Sequence, residues 1–248
     1  MSSSDVEEPD SPSLTCLKNN TPLFHAIKTH INLKSPNDCS RLKSLKLLSL
    51  SYQSSISSLS GLEYLSSLIK LDCVQTRVND ISPISACTRL QSVSLSLCNI
   101  SDISALSSCT ELHTLHLSRT PISHFSVMVN LINIKILDLS FTIISDISPL
   151  SNCKHLKMLN LEQTRVVYLG PLSNCVELTH LLLPNTKVFK ISALCNCINL
   201  ESLSLHNTDV YDVSPLSCCF KLKNLFLQSS RVANVECLSH LENLKIYM

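Results

Sequence analysis

From Leu45 onward the chain sets apolar and polar residues in a fixed, recurring order. Beginning at Leu68, an apolar residue stands at every twenty-second position: Leu68, Leu90, Leu112, Ile134, Leu156, Leu178, Leu200, Leu222 and Leu244. Taking that residue as position 1 of a unit, positions 4, 6, 11, 14 and 17 are apolar in all eight complete units, with Cys counted as a small hydrophobe. Chance does not produce such a pattern. An earlier unit starts at Leu45 and runs 23 residues, with one residue inserted near Gln53, and a half unit over residues 244–248 ends the sequence. A period of this length marks a stack of supersecondary units.

Each unit predicts the same local structure. Positions 4 and 6 are apolar with a different residue between them, which is the period of a short half-buried strand. Position 9 holds Thr76, Cys98, Thr120, Thr142, Thr164, Thr186, Thr208 and Ser230. The chain turns inward there, and a hydroxyl can bond backbone groups that a buried turn would otherwise leave unpaired. Ser82-Pro83, Ser148-Pro149 and Ser214-Pro215 set an N-cap residue before a proline at the first helical position, predicting a short 3₁₀ or α turn. No unit can bury its apolar set alone, so neighbours must stack. The expected fold is an α/β solenoid, a right-handed coil with a parallel sheet on its concave side and short turns on its convex side.

The consensus reads L-x-x-L-x-L-x-x-T-x-I-x-D-I-S-P-L-S-x-C-x-x over residues 45–248. It resembles the leucine-rich repeat, in the 22-residue class shared by internalins and by regulatory subunits of protein phosphatase 1. Asp146-Ile147-Ser148-Pro149-Leu150 is close to the internalin wording. The family's usual Asn at position 9 is replaced here by Thr, Cys or Ser. That exchange, together with Cys at position 20, resembles repeat proteins of unicellular eukaryotes. The resemblance implies a protein-binding solenoid.

The organisation follows. Residues 1–13, MSSSDVEEPDSPS, read as a disordered acidic tail. Residues 14–44 read as a capping segment, a short amphipathic helix with a degenerate unit. Residues 45–248 are the repeat domain. The half unit at the end shows no polar cap, and self-association through that edge is one reading of it.

Composition narrows the chemistry. Lys and Arg number 20 against 19 Asp and Glu, so overall charge offers nothing to nucleic acid or to an anionic membrane. There are two glycines, Gly61 and Gly170, whereas a phosphate-cradling loop needs several close together. No catalytic spacing occurs, and no cofactor is expected. The amino terminus lacks the basic and apolar regions of a secretory signal. A cytoplasmic protein with reduced thiols is therefore expected. Of the 13 cysteines, Cys87, Cys109, Cys153, Cys175, Cys197 and Cys219 share position 20, where Leu131 and Leu241 stand in the other units, so the column reads as apolar. Cys195, Cys197, Cys218 and Cys219 are the candidate metal ligands, although C-x-C and C-C are not the knuckle spacing of zinc sites. The aspartates at position 13 (Asp80, Asp102, Asp146, Asp212) read as caps of the following turn, not as a catalytic series.

Function is expected on the concave side, at positions 3, 5 and 7 with 8 at the rim. The candidate contact residues are Leu97, His116, Arg119, Ile136, Asp138, Phe141, Met158, Glu162, His180, Leu182, His206 and Phe226. Ile136, Phe141, Met158 and Leu182 read either as a contact patch or as scattered surface hydrophobes. Arg77, Arg165, Lys187 and Arg231, with Asp209, line position 10 as a solvated edge. The leading reading is a non-enzymatic scaffold or regulatory subunit that binds a protein partner, and neither nucleic acid nor membrane. Its alternatives are a phosphatase-type regulatory subunit and a cysteine-rich metal or redox protein.

Overall fold

The computed structural model describes residues 19–31 and 42–248. The expected tail and the rest of the capping segment lie outside the described residues. Helix α1, Thr21–Ile31, turns Leu23, Ala26 and Ile27 into the core beside the first repeat. Pro22 sits in its first turn, where a missing N–H costs nothing. The Asn20 amide ties the helix to the first repeat by donating to the Ser58 and Ser60 carbonyls at 2.9 and 3.2 Å.

Ten short strands follow: β1 (Leu47–Ser49), β2 (Lys70–Asp72), β3 (Ser92–Ser94), β4 (Thr114–His116), β5 (Ile136–Asp138), β6 (Met158–Asn160), β7 (His180–Leu182), β8 (Ser202–Ser204), β9 (Asn224–Phe226) and β10 (Lys245–Tyr247). They form one parallel sheet in sequence order, β1 to β10. The register carries each residue onto its equivalent in the next repeat: Ile136 faces Met158, which faces His180. Between strands run 3₁₀ turns such as Ser148–Asn152 and Ser192–Asn196. The expected strand, stacking and convex turns are all present, the turns being 3₁₀ throughout. Positions 1, 4, 6, 11, 14, 17 and 20 converge between sheet and turns as one continuous core. No helix among the described residues is long and apolar enough to cross a membrane.

Hydrogen bonds explain why the frame repeats so strictly. Six position-9 threonines donate their hydroxyls to the position-6 carbonyl of their own turn, for example Thr142 to Leu139 at 2.6 Å and Thr186 to Leu183 at 2.8 Å. Cys98 reaches back one repeat instead, its thiol donating to the Cys73 carbonyl at 2.9 Å. The expected capping role of the Ser-Pro serine is corrected. Ser82, Ser148 and Ser214 are the first residues of their turns. The acceptor is the aspartate two residues earlier: Asp80, Asp102, Asp146 and Asp212 each take a backbone N–H at 2.8 Å. Hydrogen bonds from Ser104, Ser148 and Ser214 hold the Asp102, Asp146 and Asp212 carboxyls below the usual carboxylate range, the N–H mattering most at Asp102 and Asp146 and the Ser214 hydroxyl most at Asp212. On the convex side, position 19 stitches neighbours together. Ser108, Asn174, Asn196 and His240 each meet a carbonyl of the previous turn, those of Ser85, Ser151, Ser173 and Ser217.

The inserted residue of the first unit is absorbed locally. Tyr52 still pairs with Val74, and Arg77 already pairs with Ile56, so the extra residue lies between Tyr52 and Ile56. Gly61 opens the next turn at φ 105°, a conformation only glycine adopts freely.

Candidate binding faces

On each strand the position-4 residue points into the core, and its neighbours at positions 3 and 5 point outward. The concave side is therefore ordered in rows that run across the repeats. The row at position 3 carries Thr114, Ile136, Met158 and His180. The row at position 5 carries His116, Asp138, Asn160, Leu182, Ser204 and Phe226. Position 7 adds Glu162 and His206 further along the chain. Small residues in these rows sink between their neighbours, and Ser94, Ser96, Ser140 and Ser204 are buried.

Position 8 is the feature that periodicity did not reveal. Tyr52, Gln75, Leu97, Arg119, Phe141, Gln163, Asn185, Asn207 and Ser229 all have φ between 51° and 65°. Left-handed backbone at a non-glycine residue costs about 1 kcal/mol or more. The parallel ladder sustains it: the N–H of each from Tyr52 to Asn207 donates to position 7 of the following repeat, as Phe141 does to Glu162 at 2.8 Å. The sequence does hold a signal for this. No β-branched residue occupies the column, and those residues tolerate positive φ least. The conformation throws these side chains out along one rim of the concave side. There the Arg119 guanidinium lies over the Phe141 ring, 3.9 Å from its centroid, and Leu97 is 45% exposed.

The predicted contact residues accordingly fall into separate groups. Ile136 and Met158 are register partners on adjacent strands, with Met158 43% exposed. Leu97, Arg119 and Phe141 form the opposite rim, on three successive repeats. Leu182 lies one repeat beyond Met158, in the position-5 row beside Asn160. The Asp138 carboxylate accepts both the N–H and the hydroxyl of Ser140, at 3.0 and 2.7 Å, so it is turned toward its own chain. His180 lies against the Thr179 hydroxyl at 3.0 Å. His116, Glu162 and His206 are half-buried in their rows. Phe226 stacks on Tyr247 of β10 at 4.6 Å and stands apart from the apolar groups. Charge is balanced within the sheet, where Lys70 pairs with Asp72 at 3.3 Å.

The six position-20 cysteines form a buried column. Five of the thiols, those of Cys87, Cys109, Cys175, Cys197 and Cys219, point at carbonyls of the preceding repeat, as Cys87 does toward Leu62 at 3.3 Å and Cys219 toward Cys197 at 3.6 Å. Burial pushes the Cys87, Cys175 and Cys197 thiols up to about 12, and those of Cys153 and Cys219 up to about 11. Such groups stay protonated and unreactive at neutral pH. The candidate metal cysteines separate: Cys197 and Cys219 are buried, whereas Cys195 and Cys218 are exposed. Among the described residues no three His, Cys, Asp or Glu side chains come together as metal ligands.

No protein-family model matches the chain, and no curated protein matches it. Solved structures do. An internalin (inlF) of Listeria monocytogenes is similar with a TM-score of 0.79 at 23% identity, over 98% of this chain and 78% of its own. Internalin C2 (inlC2) of the same organism is similar with a TM-score of 0.69 at 24% identity, over 97% of this chain and 99% of its own. A Toll-like receptor, TLR13, solved in complex with a single-stranded RNA, is similar with a TM-score of 0.69 at 22% identity, over 82% of this chain and 32% of its own. The fold is that of a leucine-rich-repeat solenoid.

Proposed function

We propose that this solenoid is a non-enzymatic interaction module that holds a protein partner on its concave side. The observation that carries the reading is the outward-pointing apolar pair Ile136 and Met158 on neighbouring strands, half-buried and exposed respectively, on the same side as the rim where Leu97 is exposed and Arg119 lies over Phe141. The frame has no need of apolar residues at these places, since positions 4 and 6 already build the core. Exposed apolar and aromatic side chains on a rigid surface are the usual anchors of protein recognition. The concave charges also nearly cancel, with Lys70 and Arg119 against Asp72, Asp138 and Glu162, which favours a protein over nucleic acid. The same reading puts the protein in the cytoplasm. A reducing compartment would keep the buried cysteine column as thiols. The finer resemblance to internalins, phosphatase subunits and proteins of unicellular eukaryotes supports partner binding without naming the partner.

The test uses three baits in native lysate, read by mass spectrometry: the unaltered chain, Ile136→Ser with Met158→Ser, and Leu97→Ser with Phe141→Ser. All three must first show the same circular dichroism. A partner retained by the first and lost by either variant supports the concave side. A set of partners identical across all three baits refutes it.

A further inference from the structure

A second built surface lies away from the sheet, on the edge where the chain descends from the strands into the 3₁₀ turns. Positions 12 and 13 of most units are small and polar or acidic there: Asn79-Asp80, Ser101-Asp102 and Ser145-Asp146. Three successive units depart from this pattern, with Val167-Tyr168, Phe189-Lys190 and Tyr211-Asp212. Val167, Tyr168, Phe189 and Tyr211 are all exposed, Tyr168 to 74% and Tyr211 to 57%. Register stacking brings equivalent positions of neighbouring repeats about 5 Å apart. These residues therefore form one apolar stripe, not isolated surface hydrophobes. Between Tyr168 and Phe189 the edge opens into a cleft of about 360 Å³, lined also by Gly170, Lys190 and Ala193.

The Tyr168 unit is altered in two places at once. Where four other units read Asp-x-Ser, it reads Tyr168-Leu169-Gly170. The aspartate that would cap the turn has become the ring, and the serine beneath has lost its side chain. A Cβ on Gly170 would collide with the Cζ and Oη of Tyr168. The glycine is therefore what lets the ring lie over the turn and wall the cleft. A surface tyrosine with no role would not require this paired exchange.

Charge states what the cleft fits. Arg165 and Lys187 at position 10, and Lys190 at position 13, border the aromatic stripe, and all three are exposed. Among the described residues none of them has an acidic partner. Lys190 meets only the Phe189 ring, at 5.7 Å. Of the nearby carboxylates, Asp209 pairs with Arg231 at 2.9 Å, and Asp212 accepts the Ser214 N–H and keeps its negative charge, so the three cations outnumber it. Other exposed apolar residues at position 21, such as Val176, lie beside carboxylates that are paired with Lys or His, so that surface selects no charge. The descending edge combines apolar anchorage with an excess of positive charge.

We propose that this edge binds an acidic peptide segment of a partner protein, with one apolar or aromatic side chain seated between Tyr168 and Phe189 and carboxylates meeting Arg165, Lys187 and Lys190. The site lies on the descending edge, past the position-8 rim, and shares no residue with the concave groups.

The experiment pans a random dodecapeptide display library on the intact chain. Recovered peptides are synthesised with a fluorescein label and titrated by anisotropy at two salt concentrations. The expected peptides carry net negative charge with at least one Trp, Phe, Tyr or Leu, and bind more weakly at high salt. Lys187→Glu with Lys190→Glu weakens them tenfold or more. Gly170→Ser, which restores the residue found at that position in six other units, weakens them several-fold by displacing the ring. Arg77→Glu with Arg89→Glu makes the same charge change far from the stripe and leaves affinity within twofold. A recovered pool with no acidic enrichment overturns the proposal. So does an equal loss in the Arg77/Arg89 control, which would make net charge the cause. Binding to vesicles of 30% phosphatidylserine that is lost in the Lys187/Lys190 variant, without any peptide binding, also overturns it and assigns the edge to a membrane. Each variant is first matched to the parent by thermal melting.

Discussion

Thr142→Val separates two explanations of the position-9 column. Thr142 is 3% exposed, and its hydroxyl donates to the Leu139 carbonyl at 2.6 Å. Valine has nearly the same shape, so packing is preserved while the donor is lost. If the column serves only as small apolar filler, valine replaces a hydroxyl with a methyl and stabilises by about 0.8 kcal/mol. If the hydroxyl satisfies the turn, a buried carbonyl is stranded at a cost of about 1–3 kcal/mol. Less the methyl gain, the net loss is about 0.2–2 kcal/mol. For a chain of this size each kcal/mol lowers Tm by roughly 2–4 °C. Urea unfolding followed by circular dichroism reads the change as a shift in midpoint at constant slope. Thr120→Val, Thr164→Val and Thr208→Val report the same bond in other repeats, and combined in one chain their losses should nearly add, because the sites are not in adjacent units. A Thr142→Val protein as stable as the parent, or more stable, refutes the turn-bonding argument.

Four further outcomes follow from the geometry. In native protein, Cys195, Cys218 and Cys237 should react rapidly with a thiol reagent at pH 8 while the position-20 column stays masked until denaturant is added, and fast reaction of Cys175 or Cys197 would contradict their burial. Because folding raises five of the column thiols, Cys87, Cys153, Cys175, Cys197 and Cys219, from about 9 to about 11–12, the unfolded chain loses these protons first, and stability should fall above pH 9 by about one proton per such thiol; a flat profile from pH 9 to 10.5 would refute this. Phe141→Gly removes the left-handed penalty along with the Arg119 stacking and should be near neutral, whereas Phe141→Val should lose about 1–2 kcal/mol relative to it, and equal stabilities would show that the rim is unstrained. Asp146→Ala should cost about 1 kcal/mol through loss of the turn cap; the lowered Asp102, Asp146 and Asp212 carboxyls support the fold above about pH 4 and lose that support as pH falls through their folded-state values, so an acid midpoint unchanged by removing all three would refute their capping role.

The candidate sites were legible to different depths. The concave residues could be named from position alone, because period 2 in a strand assigns Ile136 and Met158 outward once Leu137 and Leu159 are inward. Their grouping could not be read so easily. Phe141 belongs to the same unit as Ile136 yet lies on the other rim, because the chain turns through left-handed backbone at position 8 before it descends. The capping aspartates were recognised as caps, but the neighbouring Ser-Pro serine was assigned the same part. Choosing between two adjacent polar residues needs the 3₁₀ geometry, which places the Asp146 carboxylate on the Ser148 N–H.

Repetition explains what the linear chain determines here. Each unit contacts its neighbours in the same register, so a one-dimensional pattern of apolar residues already specifies strand, turn, stacking direction and core. The buried cysteine column and the ten-stranded sheet follow from that arithmetic. Tertiary structure decided everything that depends on where a side chain is thrown when the backbone leaves regular geometry. It set the left-handed rim that carries Arg119 onto Phe141, the separation of Cys195 and Cys218 from the buried thiols, and the closeness of Gly170 to the Tyr168 ring. The physical reason is that burial is a property of the repeating pattern, whereas surface grouping depends on backbone dihedrals and on the neighbour one full turn away.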